Sequence, residues 1–227
     1  MGAIVLGCDP GFASFGWARL ELGRSGRLGV PAACATLLDW GVITTKPSPR
    51  KVRVLAGDDN ARRARQIAQQ LAPLMADVRL VCAESLSFVR DASVMAKMGL
   101  AWGVLVGLCE AAGVPLAQAT PQALKAAACG TARADKLQVA ARMREQYACS
   151  WAGPHTRAEH AYDAVAAFHA CRYSDLVRAV MASTTQQGPA KAPAAIGCPQ
   201  SGGKNGARHG QRIAPQAIAP HWNAERP

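Results

Sequence analysis

The chain opens on an apolar run, residues 1–8, that stops at Asp9-Pro10-Gly11, where Pro and Gly break the extended chain. A short apolar run closed by a turn predicts a buried strand. Residues 15–21 and 33–44 read as two further strands, and the Gly- and Arg-containing stretch between them predicts antiparallel hairpins. The period then changes. Over residues 58–75, Ala61, Ala64, Ile67, Ala68, Leu71 and Leu74 fall on one face, with Arg62, Arg63, Gln66 and Gln70 largely on another. This predicts a helix, capped near Asp58 or Asp59. Residues 78–83 predict a strand that delivers Glu84 at its end, 92–112 a long apolar helix, and 114–119 another strand. Two or three helices close the pattern. Beyond Ser183 the periodicity stops, and residues 185–227 are rich in Gly, Pro, Ala and Gln.

Three hairpin-linked strands followed by helix, strand, helix and strand is the element order of the RNase H-like fold. That is an α/β architecture in which a mixed five-stranded sheet, three antiparallel strands then parallel ones, carries helices on both faces. With 227 residues, half of them apolar, one domain over residues 1–184 can bury a sizeable core, and 185–227 reads as a basic, disordered tail. The formal charge of +11 favours polyanionic partners, a trait shared with ribosome-binding and membrane-surface proteins. The tail carries Lys191, Lys204, Arg208, Arg212 and Arg226 against Glu225, a net +4 that leaves +7 on residues 1–184. The eight cysteines, at 8, 34, 82, 109, 129, 149, 171 and 198, lack metal-knuckle or redox spacing and read as reduced, mostly buried thiols. The apolar run 98–109 is short for a bilayer and residues 1–6 are short for a secretory signal, so a soluble, cytoplasmic protein is expected.

The candidate chemistry lies at three points that this topology gathers. Asp9 ends the first strand, Glu84 ends the fourth, and His160 and Asp163 stand one turn apart on a late helix. Neighbouring strand ends lie about 5 Å apart, so two carboxylates there repel unless a cation sits between them. Oxygen donors of this kind suit Mg²⁺ or Mn²⁺, and a pair of such ions can hydrolyse a phosphodiester by activating water and stabilising the leaving oxygen. Singly, each residue has an ordinary role: Asp9 as a turn residue, Glu84 as a strand end reaching water, Asp163 as a solvated helical acid, His160 as a packing residue. The combination has fewer innocent explanations than its parts.

Gly7-Cys8-Asp9-Pro10-Gly11, with Gly16 beyond it, resembles the first motif of the RuvC-type Holliday junction resolvases, where an aspartate binds metal. Ala83-Glu84, followed by Ser85-Leu86-Ser87-Phe88, is similar to the second motif, and His160-Ala161-Tyr162-Asp163-Ala164 to the last, where family members carry Asp or His at the position of His160. The resemblance spans roughly residues 3–175. It implies a homodimeric endonuclease that nicks branched DNA, with Asp9, Glu84, His160 and Asp163 around two Mg²⁺ ions, Mn²⁺ as a substitute, and a branch-migration helicase as partner. It further implies that residues 98–107 belong to a helix facing a second subunit, and that Lys125, Arg133 and Lys136 contact phosphates. Phe88 is the candidate wedge against a base, or else a local packing residue.

Residues 23–31 and the basic tail are not clear family features, and they leave the substrate less defined than the chemistry. An RNA-processing nuclease of the same fold and a catalytically silent nucleic-acid-binding module are the alternatives. An actin-like ATPase or sugar kinase would use a related first strand but needs a duplicated fold and a second phosphate loop, which the sequence lacks.

Overall fold

The computed structural model describes residues 2–22, 35–49, 51–87, 90–147, 158–172 and 174–179. The five strands are β1 (Ala3–Asp9), β2 (Ser14–Leu22), β3 (Ala35–Thr44), β4 (Val78–Glu84) and β5 (Leu116–Ala119). They form one sheet in the order β3-β2-β1-β4-β5, antiparallel across β3-β2-β1 and parallel across β1-β4-β5. The helices are α1 (Ala56–Leu71), continued by a 3-10 turn (Ala72–Met75), α2 (Ala92–Ala112), α3 (Pro121–Cys129), α4 (Lys136–Gln146) and α5 (Ala158–Cys171). The mixed five-stranded α/β sheet expected from the hydrophobic pattern is the one observed.

Strand alternation divides the core in two. Val5, Ala18, Leu20, Leu80 and Cys82 pack with α3, α4 and α5 on one face of the sheet. Leu6, Cys8, Phe15, Val81 and Ala83 pack with α1 and α2 on the other. Every described cysteine is a free thiol, and all but the half-buried Cys129 are buried.

Three local expectations are corrected. The N-cap of α1 is Leu55, with no side-chain cap; Asp59 instead accepts from the Ser48 amide (3.1 Å) and hydroxyl (2.6 Å), a competing use of the carboxylate. Arg63, expected on the polar face of α1, is 5% exposed, because the helix is clasped by the residues after β3 as well as by the sheet. The apolar run 98–109 is only part of the helix expected over 92–112: α2 has those 21 residues, held by the Asp91 side chain at its N-terminus and by left-handed Gly113 (φ 64°) at its C-terminus. That length and composition would suffice to cross a membrane, so run length is no argument against a span. Ala101, Trp102, Leu105 and Cys109 bury one face of α2 in the sheet core, whereas Val94, Leu100 and Val106 stand exposed on the other. The tail, residues 23–31 and Phe88 lie outside the described residues.

Candidate active site

The same alternation that builds the core aims the acids. Along β1, Val5 and Gly7 face α5, so Asp9, two residues further, faces it too. Along β4, Leu80 and Cys82 put Glu84 on that face. The register pairing Cys8 with Ala83 then leaves Asp9 and Glu84 next to each other at the ends of two parallel strands.

Helix α5 lies directly on this surface, and two glycines set how close it comes. A Cβ on Gly16 would overlap the backbone carbonyl of His160, and one on Gly7 would overlap that of Ala164. With Ala161, Ala164, Ala166 and Ala167 buried on its own side, α5 approaches the sheet backbone to backbone. His160 therefore reaches Asp9, with Nδ1 2.7 Å from Oδ2 across 151 residues of sequence. One turn on, Asp163 senses the charges of Asp9 and His160. Its neighbour Tyr162 is fully buried, and its hydroxyl accepts from Arg144 Nε of α4 at 2.7 Å.

The electrostatics are those of acids crowded together. Burial, then the charges of Asp9 and Asp163, push Glu84 up to about 7. Burial and Asp9 push Asp163 up to about 6. The hydrogen bond to Asp9 raises the His160 pKa against the opposing effect of burial. Lys136, at the start of α4, and Lys125, on α3, counter this repulsion at Glu84, which puts both cations within electrostatic reach of the acids. Lys136 Nζ also lies 3.8 Å from Glu159, the residue before His160. Arg133 is exposed in the turn between α3 and α4.

Among the described residues, no three donor groups sit close enough to grip an ion as they stand. The set nonetheless fits a divalent cation: two carboxyls raised by burial and then by neighbouring acids, and a third held by an imidazole, are groups whose charged forms a cation favours. One contributor was not legible in the sequence as a site residue: Gly16 stands in the first motif, but its part in seating α5 needs the β1–β2 register.

Comparison with known proteins converges on one family. The family model described as crossover junction endodeoxyribonuclease RuvC matches residues 5–169. The curated crossover junction endodeoxyribonuclease RuvC of Nitratidesulfovibrio vulgaris is 32% identical over 139 residues, 60% of this chain and 72% of that protein. That of Alkalilimnicola ehrlichii is 31% identical over 163 residues, 72% and 87% of the two chains. Among solved structures, T. thermophilus RuvC in complex with Holliday junction substrate superimposes with a TM-score of 0.61 at 24% identity, covering 79% of this chain and 97% of that one. The yeast mitochondrial Holliday junction resolvase shares the fold at a TM-score of 0.52 and 12% identity, over 80% and 83% of the chains.

Proposed function

Because the chain belongs to the RuvC family of crossover junction endodeoxyribonucleases, we propose that it nicks Holliday junctions or related branched DNA, by phosphodiester hydrolysis, in recombination and repair. The observation that carries the reading is the meeting of Asp9, Glu84, His160 and Asp163 on one face at the ends of β1 and β4.

Asp9, Glu84 and Asp163, with His160 beside them, would hold two divalent ions, Mg²⁺ or Mn²⁺. Such ions, when bound, supply Lewis acidity toward the phosphate and a water of lowered pKa. The chain's own residues do the rest. Glu84, at about 7, holds its proton partly near neutrality and Asp163, at about 6, less so, and both would be ionised when holding a cation. Nδ1 of His160 is engaged by Asp9, and Nε2, 3.9 Å from Glu159 Oε1, would ligate an ion or orient or deprotonate water. Lys125 and Lys136 offer positive charge beside the acids, where the scissile phosphate would lie, and Arg133 extends that surface. Phe88, four residues past Glu84, is proposed as the base wedge.

A homodimer follows from the substrate, since two symmetric nicks in a four-way junction need two such sites. The exposed apolar face of α2, where Gly99, Gly103 and Gly107 leave open space beside Leu100 and Val106, supports that helix as the interface. Residues 1–184 are taken as the nuclease domain and 185–227 as a basic tail that supplements DNA binding in the cytoplasm, with a branch-migration helicase as partner.

The test is a substrate panel. Labelled four-way junction, duplex, flap and RNA–DNA hybrid are each incubated with the protein in Mg²⁺ or in EDTA. Nicking of the junction in Mg²⁺ alone is expected, and Asp9→Asn is expected to bind the junction without cutting it. Preferred cleavage of the hybrid would give the reading to an RNA-processing nuclease, and binding without any nicked product would give it to a silent binding module.

A further inference from the structure

Asp9 sits at the root of a tight turn, with the Gly11 amide donating to its carbonyl oxygen at 2.9 Å, and that turn is fastened at a second point. Thr45, the first residue past β3, donates its hydroxyl to Phe12 O at 2.6 Å and its amide to Ala13 O at 3.0 Å. The same hydroxyl accepts from Arg63 Nε of α1 at 2.9 Å. The Arg63 guanidinium then closes the loop by lying over the Phe12 ring, 4.3 Å from its centroid. Phe12, Thr45 and Arg63 are all buried.

We propose that Thr45 and Arg63 are positioning residues for Asp9, locking the turn after β1 so that its carboxylate is held ready for a divalent ion. The lock rests on the reading of Asp9 as a ligand but adds residues from a different element and the opposite face of the sheet. Its chemistry is specific. One hydroxyl must donate to a carbonyl and accept from a guanidinium at once, which Thr and Ser can do and the isosteric Val cannot. A cation sunk into an apolar core is costly, and here its ring contact ends on the turn that carries Asp9 while its Nε–H bond ends on Thr45, the residue that fastens that turn. Neighbouring side chains of α1 reinforce the grip: Arg62 Nη2 donates to Lys46 O at 2.8 Å and Gln66 Nε2 to Thr44 O at 3.3 Å.

The experiment compares Thr45→Val, Thr45→Ser, Arg63→Met and Asp9→Asn in the full chain. Leu71→Ala serves as a control, because Leu71 is buried on the same helix and is not part of the lock. Mn²⁺ affinity is measured by calorimetry without DNA, alongside single-turnover nicking of a four-way junction and junction affinity in EDTA. Outer partners of metal ligands typically govern about 10–100-fold in metal affinity or activity. Thr45→Val and Arg63→Met are therefore expected to lose about tenfold or more in Mn²⁺ affinity. Their nicking should slow while junction affinity in EDTA holds, and Thr45→Ser should behave as wild type. Leu71→Ala is expected to melt earlier with its Mn²⁺ affinity unchanged. If Asp9→Asn loses Mn²⁺ binding and nicking but Thr45→Val loses neither beyond the control, the lock is overturned and the site stands. If Asp9→Asn retains both, the site reading falls and the lock with it.

Discussion

A single methyl group decides whether His160 can touch Asp9. On Gly16 it would collide with the His160 carbonyl, and because that contact is backbone, the helix rather than a side chain must give way. A displacement on the order of 1 Å at a reacting centre can cost about 100-fold in rate, so Gly16→Ala should slow single-turnover nicking by about that factor. Overpacking should also lower stability by about 1–3 kcal/mol, read from urea titration, with junction binding in EDTA kept. Charge makes a second prediction. Glu84 at about 7 and Asp163 at about 6 both lie above their unfolded values. Groups raised in the folded state contribute stability that is full below the unfolded pKa and is lost as pH rises through the folded one. In EDTA the melting temperature should therefore fall between about pH 5 and pH 8 from these groups, and the raised His160 acts in the same sense. Mg²⁺ or Mn²⁺ favours the ionised acids, so the rise in melting temperature on adding either should be larger at pH 8 than at pH 5. Equal increments at the two values would mean that the ions bind elsewhere.

At the level of elements, α5 is the piece on which both the site and the core depend, and its far end carries a different titration. His169 is buried between Tyr147, whose hydroxyl lies 2.8 Å from Nε2, and Arg172, with Nη1 3.2 Å from Nδ1. Burial, then the Arg172 charge, pulls its pKa down to about 3. The unfolded chain takes up this proton below about pH 6.5 while the folded chain refuses it, so stability falls as pH drops from 6.5 toward 3. His169→Gln, which cannot charge, should flatten the acid limb of a stability-against-pH profile measured by urea unfolding. Helix α2 gives a further expectation. Leu100→Lys on its exposed face should leave the monomer fold intact and shift sedimentation toward monomer, with paired nicks reduced to single ones. How much of this was legible follows from period. Two apolar runs ending in Asp9 and Glu84 put both acids at strand ends from sequence, whereas the face they share comes from the observed packing of Val5 and Leu80 against α5. The expectation fails at Arg63 because its polar type outweighed its period: at i, i+4 and i+8 it shares a row with Ile67 and Leu71, the other buried residues of α1. What covers it, the segment after β3, is set by Thr45 and by a chain reversal that no local pattern records. The cap of α1 was misread for a similar reason: Asp59 is spent on Ser48, eleven residues upstream.

For the whole molecule the governing quantity is charge, +11 in total, of which residues 185–227 supply +4. Each phosphate neutralised adds about 0.9 to the slope of log affinity against log salt on duplex DNA. A tail whose five basic residues all reach phosphates would thus add at most about 4.5 to that slope. Deleting residues 185–227 leaves the acids at the ends of β1 and β4, helix α5 and the nearby Lys125 and Lys136 in place. The expected result is a split. Junction affinity should weaken and its salt slope flatten by up to about 4.5, most visibly when salt is varied between about 50 and 200 mM. The single-turnover nicking rate at saturating protein should stay at the full-length value, because the tail adds binding that is the same before and at the transition state. An unchanged slope would mean that the tail makes no phosphate contacts and that the +7 on residues 1–184 carries the electrostatic attraction alone. A slower nicking rate at saturation would mean instead that the tail orients the junction over Asp9 and Glu84, a role that net charge by itself does not provide.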